Sequence, residues 1–348
     1  MRMSLLVMRP GLYSTVQDCG RPGHRGAGLS GGGAMDEYAL RVANWLVGND
    51  ESAAGLELTL AGPTLRTETS LLIAITGADM APQVGGHELP MWRPVYVPAG
   101  AVLTFGAARA GCRAYIAVAG GIGTTPALGS RSTDVRAGIG GIAGRPLRAG
   151  DAVPCGEAAG AVAPSAWATA WLTALAKRSA AEGEGRPAAA WAAWYSPPLA
   201  YAGGDDDGIV LRAMPGREHG QFTPAARASF YGGRYRVAAA SDRMGVRLEG
   251  PPLARTTRDE LLSHGIVPGV VQVPASGQPI ILGADCQTTG GYPKLAHVAA
   301  VDLPLLAQAK PGDYIRFKAI DHEEAQQLDY ERAKALQALA AAIRYRLP

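Results

Sequence analysis

Short apolar runs, cut by glycine and proline, set the pattern along this chain. Ser4–Arg9 alternates only weakly but predicts a first strand, ended by Pro10-Gly11. From Gly55 onward the same grammar repeats: G-L-E-L-T-L-A-G-P, L-L-I-A-I-T-G, V-Y-V-P-A-G-A-V-L-T-F-G, A-Y-I-A-V-A-G-G and R-A-G-D-A-V-P. A second block from Ile209 to Lys318 adds I-V-L-R-A-M, Y-R-V-A, G-V-R-L-E-G, V-V-Q-V-P, P-I-I-L-G and Y-I-R-F-K. No helical pattern separates the strands within a block, which argues against a doubly wound parallel sheet. Helical spacing is confined to three places. Asp36–Val47 repeats Ala39, Leu40, Ala43, Leu46 and Val47, with Asp36 placed to cap the start and Gly48-Asn49 to end it. Trp167–Arg178 lies within the alanine-rich stretch Ala158–Ala193, which has a polar break at Glu182–Arg186. The tail from Asp321 carries an apolar stripe of Leu328, Ala335, Leu336 and Leu339.

These elements divide the chain into a β-rich domain over 1–157, an alanine-rich linker or helical segment over 158–205, a second β domain over 206–320 and a C-terminal helix over 321–348. The two β blocks echo each other: G-L-E-L-T-L-A-G-P-T-L against G-V-R-L-E-G-P-P-L, and P-A-G-A-V-L-T-F against P-G-D-Y-I-R-F. Two related barrel-like domains explain the echo, and so does the turn grammar common to β proteins. Leu12–Asp36 is dense in glycine and polar groups and reads as a long loop, a length usually kept for function.

Composition sharpens the picture. The 46 glycines and 25 prolines among 348 residues suit many turns, and with four phenylalanines the core must be mostly Val, Leu, Ile and Ala. A net charge of +3 with no Lys/Arg block excludes a nucleic-acid face. Cys19, Cys112, Cys155 and Cys286 form no C-x-x-C pair, so a thiol zinc site is not expected, nor any other metal. The opening M-R-M-S-L-L-V-M-R-P-G is too short for a signal peptide, and no apolar run is long enough to span a membrane. A cytoplasmic protein with reduced thiols is the expectation. Asp205–Asp207 reads as a solvated turn.

The chain lacks G-x-x-x-x-G-K-[ST], G-x-S-x-G and H-E-x-x-H, and G-G-I-G-T-T at Gly120–Thr125 reads as a turn. Four other stretches gather reactive side chains. The first is Tyr13–Asp36, with Gln17, Asp18, Arg21, His24, Arg25 and Asp36. The second is L-G-S-R-S-T-D, where Ser130, Arg131 and Ser132 suit either an anion clamp or a hydrogen-bonded turn. The third is A-A-S-D-R-M-G-V-R-L-E-G, with Asp242, Arg243, Arg247 and Glu249; Asp242 and Arg243 also suit a structural pair. The fourth is A-D-C-Q-T-T-G-G-Y-P-K-L-A, Ala284 to Ala296, with His264 upstream. Here Gly290 and Gly291 permit close approach of a ligand, Asp285 and Gln287 offer acceptors and a donor, and Lys294 is placed to stabilise developing negative charge. Asp285, Lys294 and His264 are the catalytic candidates. Arg131, Ser130, Ser132, Arg243, Gln287, Thr289, Gly290, Gly291, Tyr292 and Asp36 are the candidates for binding substrate. Cys286 has no evident base beside it and is not expected to act as a nucleophile.

The same four stretches carry a resemblance. P-G-L-Y-S-T-V-Q-D-C-G-R-P-G with S-G-G-G-A-M-D, then L-G-S-R-S-T, S-D-R-M-G-V-R-L-E-G and G-V-V-Q-V-P-A-S-G-Q-P-I-I-L-G-A-D-C-Q-T-T-G-G-Y-P-K, resemble the family of 5-oxoprolinase C-subunits. That family is also called allophanate hydrolase subunit 2, the Kip-antagonist protein, or biotin-dependent carboxyltransferase-like protein. The resemblance runs from about residue 3 to about residue 318 and leaves out the alanine-rich segment and the tail. It implies a mainly β protein with two cyclophilin-like barrel domains, a few peripheral helices and a C-terminal helix. It implies a hydrolase component that opens 5-oxoproline to glutamate together with the 5-oxoprolinase A and B subunits, active only in the complex. No cofactor is expected on this chain alone, and ATP is used by the complex. Two other roles stay open: a biotin-dependent carboxyltransferase acting on urea or a similar small amide, with biotin on a separate carrier, and a regulatory partner of a B-subunit-like protein. The family's motif positions fall on Gln17, Asp18, Arg21, Pro22, Gly23, Asp36, Ser130, Arg131, Ser132, Arg243, Arg247, Glu249, Asp285, Gln287, Thr289, Gly290, Gly291, Tyr292 and Lys294.

Overall fold

A computed structural model of the chain describes residues 4–156, 164–181, 189–198, 208–257 and 261–346. The polar break at Glu182–Arg186 and the acidic run Asp205–Asp207 lie outside the described residues. The first half holds strands β1 (Ser4–Arg9), β2 (Tyr13–Gln17), β3 (Gly55–Thr59), β4 (Thr64–Thr67), β5 (Leu71–Asp79), β6 (Gln83–Val84), β7 (His87–Glu88), β8 (Val95–Val97), β9 (Val102–Thr104), β10 (Ala110–Val118), β11 (Ala152–Pro154) and β12 (Ala190–Trp191), with helices α1 (Glu37–Leu46) and α2 (Ala166–Ala181). The second half holds β13 (Ile209–Pro215), β14 (Tyr235–Val237), β15 (Gly245–Glu249), β16 (His264–Gly265), β17 (Val270–Gln272), β18 (Ile280–Leu282), β19 (Thr289–Gly290), β20 (Lys294–Val298) and β21 (Tyr314–Ala319), with α3 (Pro224–Gly232), α4 (Leu303–Gln308) and α5 (His322–Arg344). The protein is mainly β.

The chain forms two compact units, and two segments depart from linear order. Residues 22–35 belong to the second unit, and residues 337–348, the end of α5 and the residues after it, belong to the first. The strands of the first unit form two six-stranded sheets, ordered β11-β1-β4-β9-β6-β7 and β12-β8-β5-β10-β3-β2. Those of the second close into a seven-stranded barrel, β13-β20-β17-β18-β15-β14-β21. Every pairing in the barrel is antiparallel except β13 with β21.

The apolar runs explain where each core sits. In β5 every residue but Asp79 is buried, as expected of a strand covered on both faces. One face of the β5/β10 region carries α1, and the polar groups trapped beneath the helix are paired. Thr76 Oγ1 donates to the Ala39 carbonyl at 2.7 Å. Asp36 is fully buried and caps α1 by accepting from the Ala39 amide at 2.9 Å. Its own amide donates to the Tyr115 hydroxyl at 2.8 Å, which donates in turn to Glu57 at 2.8 Å. Burial raises the Tyr115 pKa well above its usual value, and the nearby Glu57 charge adds to this, so the phenol stays protonated and can donate. In the second unit an aromatic stack of Phe230 on Phe317, 4.1 Å between centroids, sits in the barrel core with Leu211, Val271, Ile281 and Ile315.

The strand pattern read from the chain reappears in all but a few places. Tyr13–Gln17 does not belong to a loop: it pairs along its length with β3, and four of its five residues are buried. The apolar Val16 and the hydrogen-bonding capacity of Ser14, Thr15 and Gln17 suit a buried edge that polarity alone disguises. Lys294–Val298 is a barrel strand that the apolar runs did not include. Helix α3, opened by Thr223 as cap and Pro224 in its first turn, carries a start signal that the sequence reading passed over.

Replacing Asp36 by Ala removes the α1 cap and leaves the Ala39 amide buried without its acceptor. The expected cost is about 1–2 kcal/mol, read as a lowered denaturation midpoint with unchanged secondary structure.

Candidate functional site: a cavity in the barrel unit

The Ser-Arg-Ser turn of the first unit does clamp an anion, and the anion is the chain's own Asp18. Ser130 Oγ and Ser132 Oγ each donate to Asp18 Oδ1 at 2.6 Å, the Arg131 amide donates to Oδ2 at 2.5 Å, and the Gly20 amide adds a fourth bond at 2.8 Å. The turn is drawn tight enough to hold Leu128 and Gly129 at positive φ. Arg21 is buried and donates to the Ser132 carbonyl at 2.5 Å. Gln17 Nε2 donates to Thr15 Oγ1 and the Thr133 carbonyl. Ser130, Ser132 and Asp36 therefore serve the first unit's own structure, the serines as the Asp18 clamp and Asp36 as a helix cap.

In the second unit the fourth stretch builds one wall of a cavity of about 900 Å³. Gln287, Thr289, Gly290, Gly291 and Tyr292 all line it, together with Arg247, Arg255 and Gln272. The wall is a two-residue ribbon, with His264 on β16 paired to Gly290 on β19 and Gly265 paired to Thr289. Two glycines are needed for that close approach. A Cβ at Gly290 would meet Gln272 Nε2 at 2.8 Å and Ile266 Cδ1 at 3.0 Å, and one at Gly291 would meet the Leu261 carbonyl at 2.9 Å.

Lys294 braces the ribbon from behind. It is 5% exposed, and its Nζ donates to the Gly290 carbonyl at 2.9 Å and to His264 Nδ1 at 3.2 Å. His264 Nδ1 lies 3.2 Å from both Lys294 Nζ and the Leu262 carbonyl, so it accepts from the first in one tautomer and donates to the second in the other. Nε2 lies 3.8 Å from the buried carboxylate of Glu218. That carboxylate also accepts from the Lys294 amide at 3.0 Å, while the Glu218 amide donates to the Lys294 carbonyl at 3.1 Å. Burial lowers the Lys294 pKa; the Glu218 charge opposes the shift, and Arg217 adds to it. Glu218 sits in M-P-G-R-E-H-G, where nothing in the sequence marks it as the acceptor for a backbone amide 76 positions away. Neither Lys294 nor His264 lines the cavity itself. Each supports Gly290, which does.

Asp285 is committed elsewhere. Its two oxygens accept from Arg243 Nε at 2.8 Å and Nη2 at 3.0 Å, a bidentate pair in which both side chains are largely buried. Arg243 also donates to the Gly33 carbonyl at 2.6 Å and so ties residues 22–35 to the barrel unit. Arg25 does the same from the other end, donating to the Gln287 carbonyl at 2.9 Å and to that of Ile266. Asp285 and Arg243 thus hold the wall in place, and Asp242 rather than Arg243 lines the cavity. The Cys286 thiol is buried, and its pKa is raised chiefly by that burial, partly offset by Arg25, which agrees with a structural rather than nucleophilic cysteine.

The family model for the carboxyltransferase domain, subdomain A and B, matches residues 27–319, and the chain belongs to that family. Among its relatives is the 5-oxoprolinase C-subunit of Escherichia coli K12, 40% identical over 97% of this chain and 97% of the relative. The solved structure of TTHA0988 is 36% identical with a TM-score of 0.73, covering 91% of this chain, which spans about half (55%) of that one. The K. lactis urea amidolyase structure is 26% identical with a TM-score of 0.80, covering 97% of this chain and 20% of that one. Among the described residues no helix is long and apolar enough to cross a membrane.

Two outcomes follow. Arg243→Leu leaves Asp285 without its partner and releases Gly33, at an expected cost of about 3 kcal/mol, measured by chemical denaturation. For Lys294 the folded pKa is depressed, so the unfolded chain binds more protons as pH climbs through the folded pKa towards 10.5. Wild-type stability should therefore rise relative to Lys294→Met across that alkaline window. A flat or falling difference, followed by denaturation at stepped pH, would contradict the burial effect.

Proposed function

We propose that this chain is the C-subunit of a 5-oxoprolinase, opening 5-oxoproline to glutamate in a complex with the A and B subunits and inactive without them. The observation that carries this reading is the extent of the match. The chain and the E. coli protein cover 97% of each other, whereas the chain accounts for only 20% of the K. lactis urea amidolyase. In ring opening one water is added across the lactam C–N bond: the carbonyl carbon gains the oxygen, and the nitrogen leaves as the amine, taking up a proton. ATP hydrolysis in the complex supplies the driving force. The cavity supports a small polar substrate, because its lining combines glycine backbone, Gln272 and the exposed guanidinium of Arg247. No hydrogen bond or ion pair among the described residues engages that guanidinium, which suits the carboxylate of 5-oxoproline. The described cysteines are free thiols, and action in the reducing cytoplasm is part of the same proposal.

A second reading, carboxyl transfer from a separately carried biotin to urea or a similar amide, is favoured by the description of the matched family and by the likeness to the K. lactis structure. Reconstitution separates the two. The chain is mixed with candidate A and B subunits, 5-oxoproline and ATP, and glutamate is followed. Glutamate is expected only when all three chains are present. Lys294→Met, checked for folding by circular dichroism, should lower release by about a hundredfold through a misplaced ribbon. Full release without this chain overturns the proposal, and carboxylated urea from carboxybiotin with no glutamate favours the second reading.

A further inference from the structure

The ribbon that walls the cavity is held at both ends by cations, and the two holds differ in kind. At one end Lys294 donates to the Gly290 carbonyl from a barrel strand. At the other, Arg25 Nη2 donates to the carbonyls of Ile266 and Gln287. Ile266 directly follows β16, and its amide continues the ribbon by donating to the Thr288 carbonyl at 3.1 Å. Both Ile266 and Gln287 line the cavity. Cys286 Sγ lies 3.8 Å from the same Arg25 nitrogen, and Cys286 is 1% exposed.

The barrel fixes Lys294, but Arg25 sits on a segment that packs loosely. From Pro22 to Gly32 no residue is buried, and Arg25 lies in a single 3-10 turn, Arg25–Ala27, without a side-chain cap. Burial resumes at Gly33, Ala34 and Met35. There Arg243 donates to the Gly33 carbonyl at 2.6 Å, and the Ala284 amide donates to Met35 Sδ at 3.4 Å. The segment therefore has a fixed foot and a loose head. Positive φ accounts for Gly23, Gly28 and Gly32 in that head, but not for Gly26 and Gly31. A Cβ at Gly26 would meet nothing within 4 Å, and one at Gly31 only Arg25 Nη1 at 4.0 Å. Neither contact nor left-handed backbone requires glycine at these two positions, so what glycine adds there is freedom. Few buried contacts and a free backbone are the marks of a segment that opens locally. Arg25 is held by two carbonyls and a thiol, a lighter hold than the bidentate ion pair of Arg243 with Asp285.

We propose that residues 22–32 form a latch: Arg25 releases and re-engages the foot of the β16/β19 ribbon, so that the cavity wall loosens to admit a ligand and stiffens once the latch is closed. Lys294 keeps its hold on Gly290 throughout, so the ribbon tilts about that end. Arg25 does not line the cavity and is a positioning residue, acting through the Ile266 and Gln287 carbonyls. The inference does not depend on what the cavity binds, so its test is separate from that of the proposed function.

The test uses the full chain without substrate. Iodoacetamide alkylation of each cysteine is followed by peptide mass spectrometry, alongside hydrogen exchange of the peptides that carry Ile266 and residues 287–291. Arg25→Ala should speed labelling of Cys286 by about tenfold, the worth of the lost hydrogen bonding. It should also speed exchange in the ribbon while the buried Cys155 labels as slowly as before. Arg25 lowers the Cys286 pKa, so on electrostatics alone its removal would slow alkylation, and a faster reaction reads exposure. Gly26→Ala combined with Gly31→Ala should slow Cys286 labelling by about threefold, because it takes freedom from the open state. Unchanged Cys286 labelling in either variant overturns the latch. So does faster labelling with unchanged exchange in the ribbon, or a matching rise at Cys155, which would mark general loosening.

Discussion

A buried ammonium is the constraint around which the barrel unit is arranged. Lys294 starts a barrel strand, so its backbone is fixed by its neighbours, and the residue is 5% exposed. Charge in such a place must be met by acceptors. The chain supplies the Gly290 carbonyl, a histidine nitrogen and, at the other end of the residue, the carboxylate of Glu218. Those acceptors lie on three separate segments, so satisfying one lysine fixes the β16/β19 ribbon against the barrel. The glycines follow from the same demand, because only a residue without Cβ lets the ribbon come so near Gln272 and Leu261.

The first unit solves the corresponding problem for a carboxylate. Asp18 follows a strand that is almost wholly buried, and two hydroxyls and two amides converge on it. Hydroxyls suit this better than cations. They donate to Asp18 without adding a charge that would itself need burying, and Ser132 accepts from the Asp18 amide at 2.9 Å as it donates to the carboxylate. The reading of L-G-S-R-S-T as an anion clamp had the chemistry right and the occupant open. Only folding reveals that the anion comes from residue 18.

Period and punctuation made most of the β framework legible. Ser4–Arg9 and the runs beginning at Gly55 and Leu71 announce themselves through apolar runs ended by glycine or proline, and α1 through its spacing and cap. Tyr13–Gln17 was hidden because its buried face is polar and paired, and periodicity registers only apolar burial. Pairing across long sequence distances was equally hidden. Asp285 looks catalytic beside Lys294 in a linear reading, yet Arg243, 42 positions away, takes both of its oxygens. Glu218 and Gln272 carry no local mark at all. One matters as the acceptor for a distant backbone amide and the other as an unpaired amide, and both properties exist only in three dimensions. Where residues within a stretch share a wall, as Gln287 to Tyr292 do, the sequence located them; where a charge must find its partner, it could not.

Those pairings also determine what the cavity can recognise. The ammonium of Lys294 stands behind the ribbon, the guanidinium of Arg243 is spent on Asp285, and Arg255 donates to Gln221 at 3.0 Å. Of these three cations only Arg243 is paired with a carboxylate; the other two are held by neutral acceptors. What is left for a ligand is neutral and directional: glycine backbone and the rim of Tyr292, with Arg247 as the exposed cation. A site of this kind gains little from binding a charged group at its centre, where desolvation is costly. It gains most from a compact neutral group that donates and accepts at once.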